Sequence, residues 1–385
     1  MRRAIVCALT IAGLIAVAGC KKQPGGSGGS GVDASGPILI GEYGSITGKQ
    51  ATFGQSTHEG IMLAVDQINA AGGVLGRPIK VILYDDEGSD EEAVAVVKKL
   101  IDRDQVMAVL GEVASKNSLA GGGICEHEHV PMISPSSTNP DVTRDKHYVF
   151  RVCFTDDFQG AVAAKFAIQK QWKRVAVFTC ADQDYSKKLS QFFTEAYSKY
   201  GQIVADEKYE TSDEDYTPQL TRIQSTNPDA VYLPGYYNNI CLILKQARSH
   251  GLNVPFFGGD GWDSAETLKL GSVANGCFFT NHYSPEDKSP SVQQFIQAFK
   301  AKYNGETPDA MAITGYDAAR VLCDAIKRAG KLDRDAITDA IAQTKDFPGA
   351  GGSITIDANH NARKPIAILE IRDGATHLAQ MIQPD

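Results

Sequence analysis

From Ile38 onward, short runs of β-branched and other apolar residues alternate with longer stretches in which apolar residues recur every three or four positions. Short apolar runs are typical of buried strands, and the longer spacing is typical of amphipathic helices. The spacing predicts strands at Ile38–Tyr43 and Ile79–Asp85, with a helix at Ser56–Ala71 that two glycines end. Alternation of this kind favours parallel sheets covered by helices.

The alternation continues to the end of the chain and restarts after Asp156, which indicates two α/β units in tandem. Roughly 350 residues follow the N-terminal segment, a length that suits two domains better than one core. Further helices are predicted at Glu91–Arg103, Asn117–Glu126, Gln159–Gln171, Ser291–Tyr303 and Asp309–Ala329. Further strands are predicted at Val106–Gly111, Pro131–Ser134, Arg174–Cys180, Ile203–Lys208, Ala230–Leu233, Pro255–Gly259, Cys277–Tyr283, Ile354–Asp357 and Ile366–Ile371.

The N-terminal segment has the pattern of an export signal. Arg2 and Arg3 precede an apolar stretch that is too short to span a bilayer, and Ala18-Gly19-Cys20 follows. This ending resembles a bacterial lipoprotein signal, which implies a signal peptide at 1–19 and a lipid on Cys20. Residues 20–36 are rich in glycine and serine and predict a flexible linker. We therefore expect an extracytoplasmic protein anchored to a membrane; an ordinary signal peptide with a chance cysteine is the alternative.

Composition removes several classes of function. With 46 acidic and 38 basic residues and no basic stripe, the chain does not resemble a nucleic-acid-binding protein. Six cysteines follow Cys20 without a C-x-x-C pair, and both disulfides and scattered thiols are compatible with that spacing. Glu126-His127-Glu128-His129 does not place its histidines on one helix face, so we expect no metal site.

No sequence motif indicates catalysis or a bound cofactor. A P-loop, an H-E-x-x-H sequence and a G-x-G-x-x-G sequence after the first strand are all missing. An extracytoplasmic hydrolase would need a positioned nucleophile and base, and the sequence indicates neither. We therefore predict that the chain is not an enzyme and holds no cofactor.

Ligands of open α/β sheets bind beyond the carboxyl ends of the strands, and two segments there in the first unit are rich in hydroxyls. Val113, Ala114 and Ser115 follow the third strand. Ser136, Ser137 and Thr138 follow the fourth strand. Hydroxyls and free backbone N–H groups at the start of a helix favour an anion. The alternative is that these residues are only helix caps and turn residues.

Strand ends of the second unit instead carry aromatic rings and a carboxylate. Tyr185 and Tyr236 follow two of its strands, and Asp260 lies between glycines beside Trp262. A carboxylate with aromatic neighbours suits an ammonium group. If the two units face each other, the site would hold both charges of a free amino acid. A glycine-rich turn in which Asp260 caps a helix is the alternative.

At this point the sequence resembles the leucine/isoleucine/valine-binding protein family, whose members are the receptors of branched-chain amino acid ABC transporters. The similarity extends over roughly Ile38 to Ile371. The motifs that carry it are Gly60 to Gly76 with Asp66-Gln67-Ile68-Asn69-Ala70-Ala71-Gly72-Gly73, Tyr84-Asp85-Asp86, Ser134-Pro135, Phe150-Arg151, Gln246-Ala247-Arg248 and Gly315-Tyr316-Asp317-Ala318.

The resemblance implies the fold of a type I periplasmic binding protein: two Rossmann-like lobes with parallel-type sheets, joined by three crossovers. Lobe 1 is expected at 37–155 plus 284–354, and lobe 2 at 156–283 plus 355–385. The resemblance also implies a monomer that closes on an amino acid and delivers it to a permease. A receptor for an amide, a short peptide or an aromatic acid, or a sensor subunit, is the alternative.

Roles for individual residues follow from the same resemblance. It implies that Ser115, Ser136 and Thr138 bind the carboxylate of the ligand and that Asp260 takes the place of an acidic partner of the ammonium group. Phe53 stands where the family commonly has tyrosine. The disulfide of the family's first lobe is expected to be missing, because Gly88 and Ala114 occupy its positions.

Overall fold

The computed structural model describes residues 36–384. The predicted signal peptide, Cys20 and nearly all of the predicted linker lie outside this range. Eleven α-helices and fourteen strands form in the described part of the chain. The helices are α1 (Ala51–Ala70), α2 (Asp90–Asp102), α3 (Ser115–His127), α4 (Asp156–Gln169), α5 (Asp184–Tyr197), α6 (Thr217–Ser225), α7 (Tyr237–Ser249), α8 (Ala265–Leu268), α9 (Pro290–Lys302), α10 (Ala310–Ala329) and α11 (Arg334–Ala342).

The strands belong to a five-stranded sheet, a seven-stranded sheet and a small hairpin. They are β1 (Ile38–Gly44), β2 (Ile79–Asp85), β3 (Ala108–Leu110), β4 (Met132–Ser134), β5 (Val149–Arg151), β6 (Arg174–Cys180), β7 (Gln202–Tyr209), β8 (Ala230–Tyr232), β9 (Phe256–Gly258), β10 (Cys277–Asn281), β11 (Phe347–Gly349), β12 (Gly352–Ile354), β13 (Ile366–Arg372) and β14 (Ala375–Ile382).

The five-stranded sheet, with its helices, forms lobe 1. Its order is β2-β1-β3-β4-β5, and all four pairings are parallel. Successive residues of a strand point to opposite faces, so Ile38 and Ile40 pack against α1 and α10 on one face while Leu39 packs on the other. Both faces are therefore covered, as the continuous apolar runs predicted.

The seven-stranded sheet, with its helices, forms lobe 2, in the order β14-β13-β10-β9-β8-β6-β7. The strands from β6 to β10 pair in parallel, whereas β13 is antiparallel to β10 and β14 is antiparallel to β13. The sheet of lobe 2 therefore contains both parallel and antiparallel pairings. The chain passes between the lobes three times: from β5 to α4, from β10 to α9, and from β12 to β13.

Two predicted elements differ most from the structure, and one strand was not predicted. Helix α1 begins at Ala51, before the predicted Ser56. Its first turn lacks the later apolar spacing but is buried at Phe53 and Gly54, where a Cβ on Gly54 would lie 2.3 Å from the Ser45 carbonyl oxygen. Of the predicted strand Ile354–Asp357, only Ile354 is in a strand, as the last residue of the β11–β12 hairpin. Strand β14 was not predicted, because its half-exposed edge position needs no apolar run.

The structure also shows the state of the cysteines, of the segment 126–129 and of the apolar helices. The six cysteines there are free thiols, five of them buried. No group of three or more histidines, cysteines and carboxylates within 36–384 is arranged to hold a metal ion. Glu126 accepts hydrogen bonds from the backbone N–H groups of His147 and Tyr148. Over the same range, none of the helices combines the length and the apolar character that a membrane span requires.

Candidate functional site

The candidate site is a small closed cavity where strand ends of the two lobes meet. Its volume is about 10 Å³, room for little more than one water molecule in this closed form. Two larger clefts, of about 760 and 370 Å³, are more open and carry many exposed side chains. The small cavity is the candidate because buried polar groups from both lobes converge on it. Its lining residues are Phe53, Val113, Ser115, Ser136, Thr138, Tyr185, Tyr236, Asp260, Gly261 and Met311.

Lobe 1 contributes hydroxyl groups from two neighbouring strand ends. Ser115 is the first residue of α3, so its backbone N–H lies at the positive end of that helix. Ser136 and Thr138 lie in the turn after β4, and the Ser136 hydroxyl is 2.6 Å from the Thr314 hydroxyl on α10. The Thr138 hydroxyl is buried and has no hydrogen-bond partner. This half of the site therefore offers donors suited to an anion.

Lobe 2 contributes aromatic walls. The rings of Tyr185 and Tyr236 are stacked with centroids 5.1 Å apart and an interplanar angle of 5°. Phe53 of lobe 1 meets the edge of Tyr236, with ring centroids 5.7 Å apart. Gly261 lies tightly beneath these rings, since a Cβ at this position would lie 2.4 Å from the Gly235 carbonyl oxygen. The cavity thus has rigid, largely apolar sides.

Asp260 is the acidic residue of the lining and is 3% exposed. Its Oδ1 accepts a hydrogen bond from the Tyr185 hydroxyl at 2.8 Å, and its Oδ2 lies 3.0 Å from Nε2 of His282. Its side chain does not cap a helix, so the alternative interpretation of this turn is wrong. The His282 ring stacks on Phe154 with centroids 4.1 Å apart, which fixes its orientation.

A second buried carboxyl belongs to the same network. Asp156, the first residue of α4, accepts from Nε2 of Gln159 at 3.1 Å, and Oε1 of Gln159 accepts from the Asp260 backbone N–H at 3.0 Å. Oδ2 of Asp156 is buried without a partner. Burial, and then the nearby Asp260 charge, raise the pKa of Asp156 well above its usual range. Asp260 is therefore the residue whose negative charge makes this end attractive to a cation.

Direct contacts between the lobes close the cavity. The Tyr236 hydroxyl accepts a hydrogen bond from the Ser115 backbone N–H at 3.3 Å, and the Tyr237 hydroxyl accepts from the Thr52 N–H at 3.4 Å. The Thr52 and Ser264 hydroxyls are 3.1 Å apart. Every side chain of the lining is buried, so a molecule inside would be removed from bulk water.

Eight of the eleven predicted ligand-binding residues line this cavity, and three do not. Trp262 is 0% exposed, and its indole N–H donates to the Leu233 carbonyl at 2.9 Å, so it belongs to the core of lobe 2. The Ser137 hydroxyl turns away from the cavity to the carbonyls of Glu112 and Val113. Ala114 lies behind the lining.

Sequence reasoning missed five residues of the site. Asp156 follows β5 and His282 follows β10, so the strand-end rule that found Asp260 could have found both. Met311 is the second residue of a helix that lies far away in sequence, and it carries no local signal. The remaining two are Gln159 and Gly261.

Comparisons with known proteins agree with this architecture. Residues 37–376 match the family described as periplasmic binding protein. A leucine-binding protein LivK from Thermotoga maritima is 40% identical, with a TM-score of 0.87 and coverage of 90% of this chain and 99% of that structure. LivJ from Streptococcus pneumoniae, solved with isoleucine, is 34% identical, with a TM-score of 0.86 and coverage of 90% and 100%.

A relative found by sequence is similar over most of the chain, as the two solved structures are. The Leu/Ile/Val-binding protein BraC3 of Rhizobium johnstonii is 32% identical over 83% of this chain and 87% of its own length. The two-lobed fold is that of the type I periplasmic binding proteins, as predicted. The chain belongs to the periplasmic binding protein family.

Proposed function

We propose that this protein is an extracytoplasmic receptor that binds one free amino acid between its lobes and delivers it to the permease of an ABC transporter. Leucine, isoleucine or valine is the proposed ligand. The observation that carries the proposal is the opposition of two kinds of group in one closed cavity: hydroxyls and the N-terminus of α3 on one side, and the Asp260 carboxylate on the other.

The charges of the cavity favour a ligand that carries both signs. An unpaired buried charge costs several kcal/mol, so a ligand must satisfy the groups it meets. An α-carboxylate suits the hydroxyls of Ser115, Ser136 and Thr138. An ammonium group suits Asp260 and the unpaired oxygen of Asp156. An aromatic acid lacks the ammonium group and would leave these carboxyl groups without a cation.

The remaining lining favours an apolar ligand side chain. Phe53, Val113 and Met311 present no polar side-chain group to the cavity, and the flanking tyrosines contribute their rings. Each buried methylene contributes about 0.8 kcal/mol, so leucine gains ~2.4 kcal/mol over alanine from its three additional carbons. We therefore expect leucine to bind roughly 50-fold more tightly than alanine. Family relatives named for leucine or isoleucine support this proposal.

Titration calorimetry of refolded, ligand-free protein tests the proposal. We expect leucine to bind, whereas 4-methylpentanoate, which lacks the amine, and leucinol, which lacks the carboxylate, bind at least about 30-fold more weakly. The two analogues keep the same side chain, so they separate the charged ends from the apolar cavity. Binding of 4-methylpentanoate as tight as that of leucine would favour an organic acid as the ligand.

The proposed anchor is a lipid on Cys20, and residues 20–36 are proposed as a linker that gives the receptor a high local concentration near its permease. We propose that the receptor acts as a monomer without a cofactor. Expression of Cys20→Ser in the native host should release the protein from the membrane fraction and leave leucine affinity unchanged. Retention of this variant in the membrane would contradict lipidation at Cys20.

A further inference from the structure

Behind the hydroxyl-rich side of the cavity, two carboxyl groups lie together in the interior of lobe 1. Asp86 follows β2 and Glu112 follows β3, and they are 0% and 1% exposed. The Ser45 hydroxyl lies between them, 3.1 Å from Oδ1 of Asp86 and 3.1 Å from Oε1 of Glu112. The ends of β1, β2 and β3 therefore meet at this pair.

The geometry requires a proton on the pair. A serine hydroxyl has one hydrogen to donate, while an ionised carboxylate can only accept. Ser45 satisfies both contacts when it donates to one carboxylate and accepts from the other carboxyl in its protonated form. Two ionised carboxylates at this distance in a buried position would also repel each other strongly.

Glu112 connects this pair to the segments that line the cavity. Its Oε2 accepts a hydrogen bond from the Ala114 backbone N–H, one residue before Ser115. Its carbonyl oxygen accepts from the hydroxyls of Ser134 and Ser137 at 2.8 and 3.0 Å. Both hydroxyl-rich segments of lobe 1 are thus held by the backbone and side chain of one residue.

We propose that Asp86 and Glu112 share a proton through Ser45, and that this protonated pair positions Ser115 and Val113 for the ligand carboxylate, so that ligand affinity falls when the pair loses its proton. Glu112 is then a positioning residue that does not itself touch the ligand. This inference rests on the proposed amino-acid receptor function and adds a pH response to its binding site.

The surroundings of the pair agree with a shared proton. The titratable groups that face it are Tyr43 on β1, Asp85 at the end of β2 and Tyr236 from lobe 2, and none of these three is a cation at neutral pH. Burial raises the pKa of Asp86 to about 6 and, with the charge of Asp86, raises that of Glu112 well above its usual range. Both directions agree with a proton that the pair shares.

The raised pKa values of Asp86 and Glu112 determine whether affinity rises or falls with pH. A carboxyl whose pKa is raised by folding stabilises the folded protein at acidic pH and loses that contribution as the pH rises through the folded-state pKa. Loss of the shared proton would leave two buried carboxylates that repel each other and would displace Glu112, which holds the ligand-binding segment. Affinity should therefore decrease toward alkaline pH.

Glu112→Gln is the decisive variant, because glutamine keeps the shape of the side chain, offers one acceptor and one donor, and cannot lose a proton. It can accept from only one of the two backbone N–H groups, of Ser45 and Ala114, that Glu112 accepts from, and this fixed loss does not depend on pH. Leucine affinity is measured by calorimetry between pH 6 and 9 for the wild type, Glu112→Gln and the exposed control Glu92→Gln. We expect the wild type and the control to lose at least about tenfold in affinity over this range relative to Glu112→Gln. Ionisation of the leucine amine affects all three proteins equally and cancels in the comparison.

Parallel pH profiles for the wild type and Glu112→Gln would overturn the proposal. The thermal midpoint of the ligand-free proteins gives a second readout: the wild type should lose stability toward alkaline pH more steeply than Glu112→Gln. This readout needs no ligand. If no amino acid binds to the wild type, the receptor function fails, while the shared proton is still tested by the thermal midpoint.

Discussion

Asp260→Asn is the substitution that should weaken ligand binding most selectively. Asparagine has nearly the same size, and its oxygen can still accept the hydrogen bond that the Tyr185 hydroxyl donates at 2.8 Å. The negative charge is lost from a side chain that is 3% exposed. The expected defect is therefore in the interaction with the ligand ammonium and not in packing.

The size of this defect follows from the burial of the carboxylate. Removal of one partner of a buried, hydrogen-bonded charge pair costs about 2 to 5 kcal/mol. Hydrogen-bond acceptors that stay at this end of the cavity, such as the Asp156 carboxyl joined to Asp260 through Gln159, offset part of this loss, so the lower half of the range applies. We expect a loss of about 3 kcal/mol, which is on the order of 150-fold in Kd for leucine.

Asp263→Asn is the matched control, three residues away. The Asp263 carboxylate is also buried, but it accepts from the Asn281 side chain and the Ala310 N–H, both at 2.8 Å, and it does not line the cavity. Its replacement should cost less than about tenfold in affinity, the effect of one neutral hydrogen bond. Calorimetry gives Kd for both variants, and circular dichroism verifies that both are folded. Equal losses of affinity would show that Asp260 does not bind the ammonium group.

Three further substitutions test separate parts of the structure. Trp262→Phe should leave leucine affinity unchanged and lower the free energy of unfolding in urea by about 1 to 3 kcal/mol, because the buried hydrogen bond to the Leu233 carbonyl is lost. A large loss of affinity would show that Trp262 belongs to the binding site. Gly261→Ala should weaken binding at least about tenfold by calorimetry, since its Cβ would lie 2.4 Å from the Gly235 carbonyl oxygen; unchanged affinity would contradict a tight cavity wall. Burial and the nearby Asp263 charge raise the pKa of Asp309 to about 7. The wild type should therefore lose up to about 4 kcal/mol of its free energy of unfolding between pH 4 and 8. The free energy of unfolding of Asp309→Asn, measured in urea titrations, should depend less on pH. Identical profiles would contradict this assignment.

Most of the fold could be predicted from the sequence, because buried parallel strands and amphipathic helices each leave a periodic pattern. Strands β2 and β6 have the predicted ends, Ile79–Asp85 and Arg174–Cys180. Strand β14 escaped prediction because an edge strand buries only part of each side chain. The hairpin of β11 and β12 is too short for a periodic signal.

The candidate site could also be predicted only in part. Ser115, Tyr185 and Asp260 could be found because each follows a strand whose carboxyl end is apparent in the sequence. Trp262 is two residues from Asp260 in the sequence, yet its indole lies in the core of lobe 2 and donates a hydrogen bond to the Leu233 carbonyl. Direction of a side chain depends on the turn that carries it, and a single sequence does not show that direction.

The sequence by itself determined the two α/β units, the strand ends that carry the site, and the residue types that suit an amino acid, because these depend on local periodicity and chemistry. Only the tertiary structure decided which polar groups face each other. The pairing of Asp260 with His282 and of Asp86 with Glu112 joins residues from separate strand ends. Such pairings arise when the sheets and lobes pack, and burial then makes each unpaired charge costly enough to define the ligand.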